Sequence, residues 1–302
     1  MVPRSFQYFA PTTLEEATGL LKDHQGDVKI LAGGMSLIPL MKMRLASPAC
    51  VVDINRVKGL EYIEVSKDGG SLLIGSLTRH HALESSALVK KKAPLLSETA
   101  GSIGDAQVRN LGTIGGALAH SDPSGDWGAT LLALRGEVTA VGPSGERTIP
   151  IDDFLVDTFT TALDEVELIT RVTIPIPPGK GSGGAYMKLE RKVGDFATAG
   201  VAVQLALEEG RNGDRSSYAG IGLTALGPKN LRASKAEACL LGEMLTKEVI
   251  SRAASASAEE CAPTDDPLRG SAKYKRQMAG LFTRRALEVA AARARGRGGI
   301  AR

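Results

Sequence analysis

Apolar positions recur along this chain in two periods, and the predicted elements follow each change of period. Leu14, Ala17 and Leu21 recur at helical spacing and predict a helix over 12–25. Thr13 with Glu16 three residues later forms a capping box at its start, and Gly26 stops it. Short apolar runs at 28–31 and 51–54 read as strands, and Pro39 keeps any helix between them short. From Tyr62 the pattern alternates: 62–65 and 72–75 flank an Asp-Gly turn and predict a hairpin. Thr78 is expected to cap a helix over 79–90, and Pro94 to open one over 94–103. A helix near 128–134, a hairpin over 137–151 around Gly142-Pro143-Ser144-Gly145, and a strand over 168–174 follow.

Residues 175–184 are rich in Pro, Gly and Ser and mark the expected domain boundary. Beyond it, strands are expected at 185–193, 197–207 and 218–226, with a turn at 210–213. Helices then follow at 231–242, 246–261 and 271–295. Strands followed by helices suggest an α+β module.

Composition narrows the function classes. The chain has 302 residues, 43% hydrophobic and 24% charged, as a globular protein does. A net charge of +3 and 4% aromatics disfavour a nucleic-acid partner. Cys50, Cys239 and Cys261 lie far apart, without the spacing of an iron–sulfur or zinc site, and an odd count suits a reducing compartment. The start has no apolar signal region and no run is long enough to span a membrane, so a soluble, cytoplasmic protein is expected.

Two glycine segments carry the candidate chemistry. Ile30-Leu31-Ala32-Gly33-Gly34-Met35-Ser36-Leu37-Ile38 runs from a strand into a glycine pair and a hydroxyl; Asn110-Leu111-Gly112-Thr113-Ile114-Gly115-Gly116-Ala117 repeats the theme eighty residues on. Glycines let a backbone approach closely, and successive N–H groups can hold an anion. Neither segment contains lysine, which suits a retained dinucleotide better than a transferred phosphate. Either segment alone reads equally as a tight turn. A GxGxxG match at Gly179, Gly181 and Gly184 is accidental, because a strand follows where the fingerprint needs a helix. His120, Asp122 and Asp126 offer acid–base chemistry or turn capping. His80-His81 is expected on a solvated helix, with no metal. In 188–197, Lys188, Glu190 and Lys192 share a strand face: a solvated surface, or, with Phe196 and Asp195, a lid over a flat ring.

These three stretches together resemble the FAD-binding medium subunits of molybdenum hydroxylases, more nearly the carbon monoxide dehydrogenase branch than the xanthine dehydrogenase flavin domain. The motifs are Ala32-Gly33-Gly34-Met35-Ser36, Thr113 to Ala117 with 119–123, and Lys188 to Ala199. The resemblance implies an α+β fold: an FAD-binding domain over 1–177, split into a small α/β part (1–58) and a mixed-sheet part (59–177). A C-terminal domain with a three-stranded antiparallel sheet (178–292) then covers the flavin, and a basic tail (293–302) ends the chain. It implies FAD contacts from residues 31–38 and 113–117 and from Ile103, Asp126, Ile169, Lys188 and Phe196, with Lys188 at the pyrimidine side of the ring and Phe196 over it. It implies a molybdopterin large subunit and a small subunit with two [2Fe–2S] clusters, assembled as a dimer of heterotrimers, with no catalytic base and no metal on this chain. Met35 departs from the His that carbon monoxide dehydrogenases carry, which leaves the substrate open among carbon monoxide, aldehydes, purines and N-heterocycles. A self-sufficient flavin oxidoreductase and a non-enzymatic assembly subunit are the alternatives.

Overall fold

A computed structural model describes residues 2–178, 181–208 and 213–297. Gly179 of the GxGxxG match, most of the 210–213 turn and the end of the tail lie outside them. The chain builds three layered modules, each around its own sheet and apolar cluster.

The first module comprises β1 (Gln7–Phe9), α1 (Leu14–Asp23), β2 (Val28–Leu31), α2 (Leu37–Lys42) and β3 (Cys50–Asp53). Its sheet is parallel, with β3 between β1 and β2. The pattern at 28–31 and 51–54 anticipates β2 and β3; β1 is too short to show a period. Thr13 caps α1 by accepting from the Glu16 N–H at 3.2 Å, while the Glu16 carboxylate reaches back to Thr12 rather than Thr13. Ala17 and Leu21 are buried against the sheet.

The second module contains β4 (Ile63–Val65), β5 (Ser71–Gly75), α3 (His80–Ser85), α4 (Ala87–Lys92), α5 (Pro94–Gly101), α6 (Ala106–Leu111), α7 (Ile114–His120), α8 (Asp126–Leu134), β6 (Glu137–Gly142), β7 (Gly145–Pro150), α9 (Ile151–Phe154), β8 (Leu155–Asp157), β9 (Thr160–Thr161) and β10 (Leu168–Pro175). Its main sheet runs β4-β5-β10-β6-β7 and every pairing is antiparallel, where a mixed sheet is the sequence expectation. The single helix expected over 79–90 is two. Thr78 does not cap it, because its hydroxyl is engaged by Tyr62: it donates to the Tyr62 carbonyl at 3.0 Å. Ser86 then breaks the run and caps α4.

The third module comprises β11 (Ser182–Leu189), β12 (Ala199–Glu208), β13 (Arg215–Thr224), β14 (Leu231–Arg232), α10 (Ser234–Ala238), α11 (Lys247–Glu260) and α12 (Ala272–Ala294). The three expected strands pair antiparallel, and the two-residue β14 joins at the edge. α12 takes in Arg293, the first residue of the expected tail.

α8 joins the second and third modules. All nine of its residues are buried, as an all-round apolar helix requires. It packs directly on β13: a methyl added at Gly220 or Gly222 would stand 1.9 Å from the Ala133 or Ala129 carbonyl oxygen. Beside this seam, the Glu237 carboxylate accepts from Arg135 at 2.8 Å, Arg232 at 2.9 Å and the Ile221 N–H at 2.9 Å, so α8, β13, β14 and α10 converge on one buried anion.

Candidate functional site

The two glycine segments, far apart in sequence, are in contact. Leu31 ends β2, residues 32–36 form a turn, and Leu37 and Ile38 enter α2. Gly34 has φ +73°, the left-handed region that favours glycine. A methyl on Gly33 would meet the Leu111 carbonyl oxygen at 2.2 Å, and one on Gly116 would lie 3.5 Å from Ala32 Cβ. Absence of side chains is what lets the backbones touch.

The second segment is the start of a helix rather than a free loop. Thr113 is the N-cap of α7 and accepts from the Gly116 N–H at 3.2 Å. The segment hangs on residues 76–80: the Ile114 N–H donates to Thr78 O, the Gly115 N–H to Ser76 O, and the His80 N–H to Gly112 O. The two segments are therefore unequal as donors. Ile114 and Gly115 are already engaged, whereas among the described residues the N–H groups of Gly33, Gly34, Met35 and Ser36 have no protein acceptor. The Ser76 hydroxyl, under Gly115, is also buried without a partner.

Asp126 and Lys188 meet, although 62 residues separate them. Asp126 opens α8 and Lys188 is the penultimate residue of β11; each side chain is 6% exposed, and the ammonium lies 3.1 Å from the carboxylate. Lys188 also donates to Ser102 O at 3.0 Å, next to Ile103, and lies 3.7 Å from Glu190. The solvated-face reading of Lys188 is thus excluded. Tyr186, two residues earlier on the same face of β11, donates its hydroxyl to Asp126 at 2.5 Å. Burial pushes the Asp126 carboxyl above the usual carboxylate range, against the opposing pull of Lys188 and the Tyr186 hydrogen bond. Burial and the adjoining Asp126 charge push the Tyr186 phenol well up. In the sequence Tyr186 carries no mark beyond its place two residues before a lysine in a strand.

Phe196 is 48% exposed, with the Arg269 guanidinium 6.0 Å above its ring. It borders a cavity of about 340 Å³ with Asp122, Ala225, Asp266, Arg269 and Lys275. Ile103 packs at the edge of the second module's core, and Ile169 is buried inside it with Ile114 and Leu118. Asp122 caps its own turn, accepting from the Ser124 N–H at 2.8 Å, and the ring of His120 lies 5.0 Å from that of Phe159. The loop between them and α8 is held from the third module: Thr224 donates to Gly125 O at 2.7 Å, and Asn230 donates to both Pro123 O and Gly125 O at 3.2 Å.

His80 does not lie on a solvated face. It is 3% exposed and accepts from the Trp127 indole at 3.2 Å; only His81 faces water. Burial first, then the charges of Arg109 and Arg79, lower its pKa to about 4. The unfolded chain takes up this proton near 6.5, so between pH 6.5 and about 4 it binds a proton that the fold refuses. Stability therefore falls as pH falls through that window, by roughly 3 kcal/mol. His80→Gln, which keeps an acceptor for Trp127, should flatten the pH dependence of thermal unfolding over this range. An unchanged slope would place the acid sensitivity elsewhere. Among the described residues, no cluster of His, Cys, Asp and Glu could hold a metal ion, and no helix is long and apolar enough to cross a membrane.

Two family models together match most of the chain. A family model described as the FAD binding domain in molybdopterin dehydrogenase matches residues 4–177. A second, the CO dehydrogenase flavoprotein C-terminal domain, matches residues 184–290. The carbon monoxide dehydrogenase medium chain of Hydrogenophaga pseudoflava is 43% identical over 97% of this chain and 99% of that relative. The glyceraldehyde dehydrogenase medium chain of Sulfolobus acidocaldarius is 36% identical over 96% of this chain and all of its own length (100%). A solved structure of the Hydrogenophaga enzyme, in a form lacking the Mo-pyranopterin moiety, superposes with a TM-score of 0.93 at 44% identity, covering 97% of this chain and 99% of that one. With touching glycine segments in the first match and the antiparallel sheet of Lys188 in the second, the chain belongs to the family of FAD-binding medium subunits of molybdenum hydroxylases.

Proposed function

We propose that this chain is the FAD-carrying, electron-transferring subunit of a three-part, carbon monoxide dehydrogenase-like molybdenum hydroxylase working in the cytoplasm. FAD, when bound, supplies the redox chemistry: it takes electrons from [2Fe–2S] clusters on a small subunit and yields them to an external acceptor. A large molybdopterin subunit would perform the substrate chemistry, and two such trimers would associate. We assign residues 1–177 to FAD binding, 178–292 to the module that closes over the ring, and 293–302 to a tail.

The observation that carries this reading is the row of unengaged N–H groups from Gly33 to Ser36, held against the second glycine segment. A retained pyrophosphate can be held by neutral backbone N–H donors without a lysine, and this turn supplies them at a place where a Cβ would clash with the facing backbone. Residues 31–38 and 113–117 would hold the pyrophosphate. Asp126 and Lys188 would present a fixed charge pair to the polar end of the ring, Ile103 would lie beside Lys188, and Phe196 would cover a ring face. Ile169, buried beneath α7, would act through the packing of Ile114 rather than by touching FAD.

The assembled complex should therefore carry visible flavin absorbance, with one FAD per copy of this chain released on denaturation. A complex that purifies intact, contains this chain and never holds flavin would refute the assignment.

A further inference from the structure

The Leu111 carbonyl, which Gly33 abuts, also accepts from Arg79 Nη1 at 2.5 Å. The same guanidinium donates through Nη2 to Asn55 Oδ1 at 2.8 Å. Asn55 in turn donates from Nδ2 to the Ala32 carbonyl at 2.8 Å and to Asp53 Oδ1 at 2.6 Å. Tyr8 donates its hydroxyl to Asp53 Oδ2 at 2.6 Å. A continuous hydrogen-bonded strap thus runs from the first module's sheet to both glycine segments.

No backbone ladder joins the two segments to each other: residues 112–115 are laddered to 76–80, and Leu31 to Asp53. Their separation is set by the Gly33–Leu111 contact, which limits approach, and by the strap, which limits retreat. Arg79 is suited to this task because its planar fork can serve two acceptors in fixed directions; a lysine ammonium on a flexible stem cannot.

We propose that Arg79, acting through Asn55, is a positioning residue that fixes the spacing of the two glycine segments and thereby sets the affinity for the FAD pyrophosphate. This rests on the FAD reading above. Arg79 itself needs no contact with the phosphates: both of its terminal nitrogens are engaged by protein oxygens.

The test compares the wild-type complex with Arg79→Ala, Arg79→Lys and Gly33→Val, each stripped of flavin and titrated with FAD. Arg79→Ala should weaken FAD binding tenfold or more, while thermal unfolding of the flavin-free complex stays where it was, because the strap lies at the surface. Millimolar guanidinium should restore affinity to Arg79→Ala and leave the wild type unchanged, a response that a merely structural loss does not give. Arg79→Lys should bind as poorly as Arg79→Ala. Wild-type affinity in Arg79→Ala, or in Arg79→Lys, would overturn the strap, the latter by showing that charge suffices. So would a loss that tracks flavin-free stability and ignores guanidinium. If Gly33→Val is empty while Arg79→Ala binds fully, the FAD reading stands and the strap falls. If the wild type takes up no FAD, the reading itself fails and the strap with it.

Discussion

Gly33→Val is expected to leave the protein folded and without flavin. Its Cβ would lie 2.2 Å from the Leu111 oxygen, and both partners are backbone, so no side chain can rotate away. Relief requires the first turn and the end of α6 to part by about 1 Å, against the steep repulsive wall of a van der Waals contact. The turn is peripheral to all three apolar clusters, so the damage stays local. The informative control is Gly19→Ala. Gly19 lies within α1 with nothing within 4 Å of an added methyl, so alanine there should stabilise the helix by about 1 kcal/mol and leave flavin content untouched. Flavin release on denaturation measures one outcome and thermal unfolding the other. Full flavin in Gly33→Val would mean that contact between the segments is irrelevant to binding.

Replacing Glu237 with alanine should cost the most stability of any single side-chain change considered. The residue is 2% exposed and holds two arginines and one backbone N–H. Removing it strands those donors at the seam between α8 and β13. Leaving the buried Ile221 N–H without an acceptor costs about 1–3 kcal/mol, and loss of the two ion pairs adds less than a fully buried pair would, because the Arg135 and Arg232 side chains are 28% and 34% exposed and can turn to water. Arg135 is the more affected partner, because Arg232 retains Asp152 at 3.4 Å. Glu237→Gln should lie between, keeping an acceptor for the Ile221 N–H while losing the charge. Chemical denaturation of the three forms gives the order directly. A Glu237→Ala protein within 1 kcal/mol of wild type would mean that the packing of α8 on Gly220 and Gly222, not the anion, holds the modules together.

The sequence was legible where one residue type has one use. Thr13, Pro94 and the Asp68-Gly69 turn each mark an end of an element, and those ends lie within a residue or two of their expected places. The glycine segments stood out because paired glycines beside a hydroxyl are rare enough to notice. The failures share a cause: tertiary partners reassigned groups that local pattern leaves ambiguous. Thr78 looks like a cap until Tyr62, across the hairpin, takes its hydroxyl. His80 and Lys188 look solvated until Trp127 and Asp126, 47 and 62 residues away, bury them. Asn55 and Arg79 carry no motif at all, since their meaning lies in two carbonyls that only the fold brings together.

The grip of the third module on residues 123–125 has a consequence for the order of events at synthesis. Thr224 and Asn230 lie 99 to 107 residues downstream of the carbonyls they hold. At roughly 5–20 residues per second, the ribosome needs about 5–20 s to make that stretch. During that interval the first two modules can fold, but the loop leading into Asp126 lacks the Thr224 and Asn230 donors and has only its own turn and the contacts of Ser121 with 159–160 to hold it. Lys188 and Tyr186 emerge in the same interval, so the buried charge cluster also waits. The nascent chain can thus form its glycine turn early, but the surrounding site cannot be complete until residues beyond Asn230 have been made.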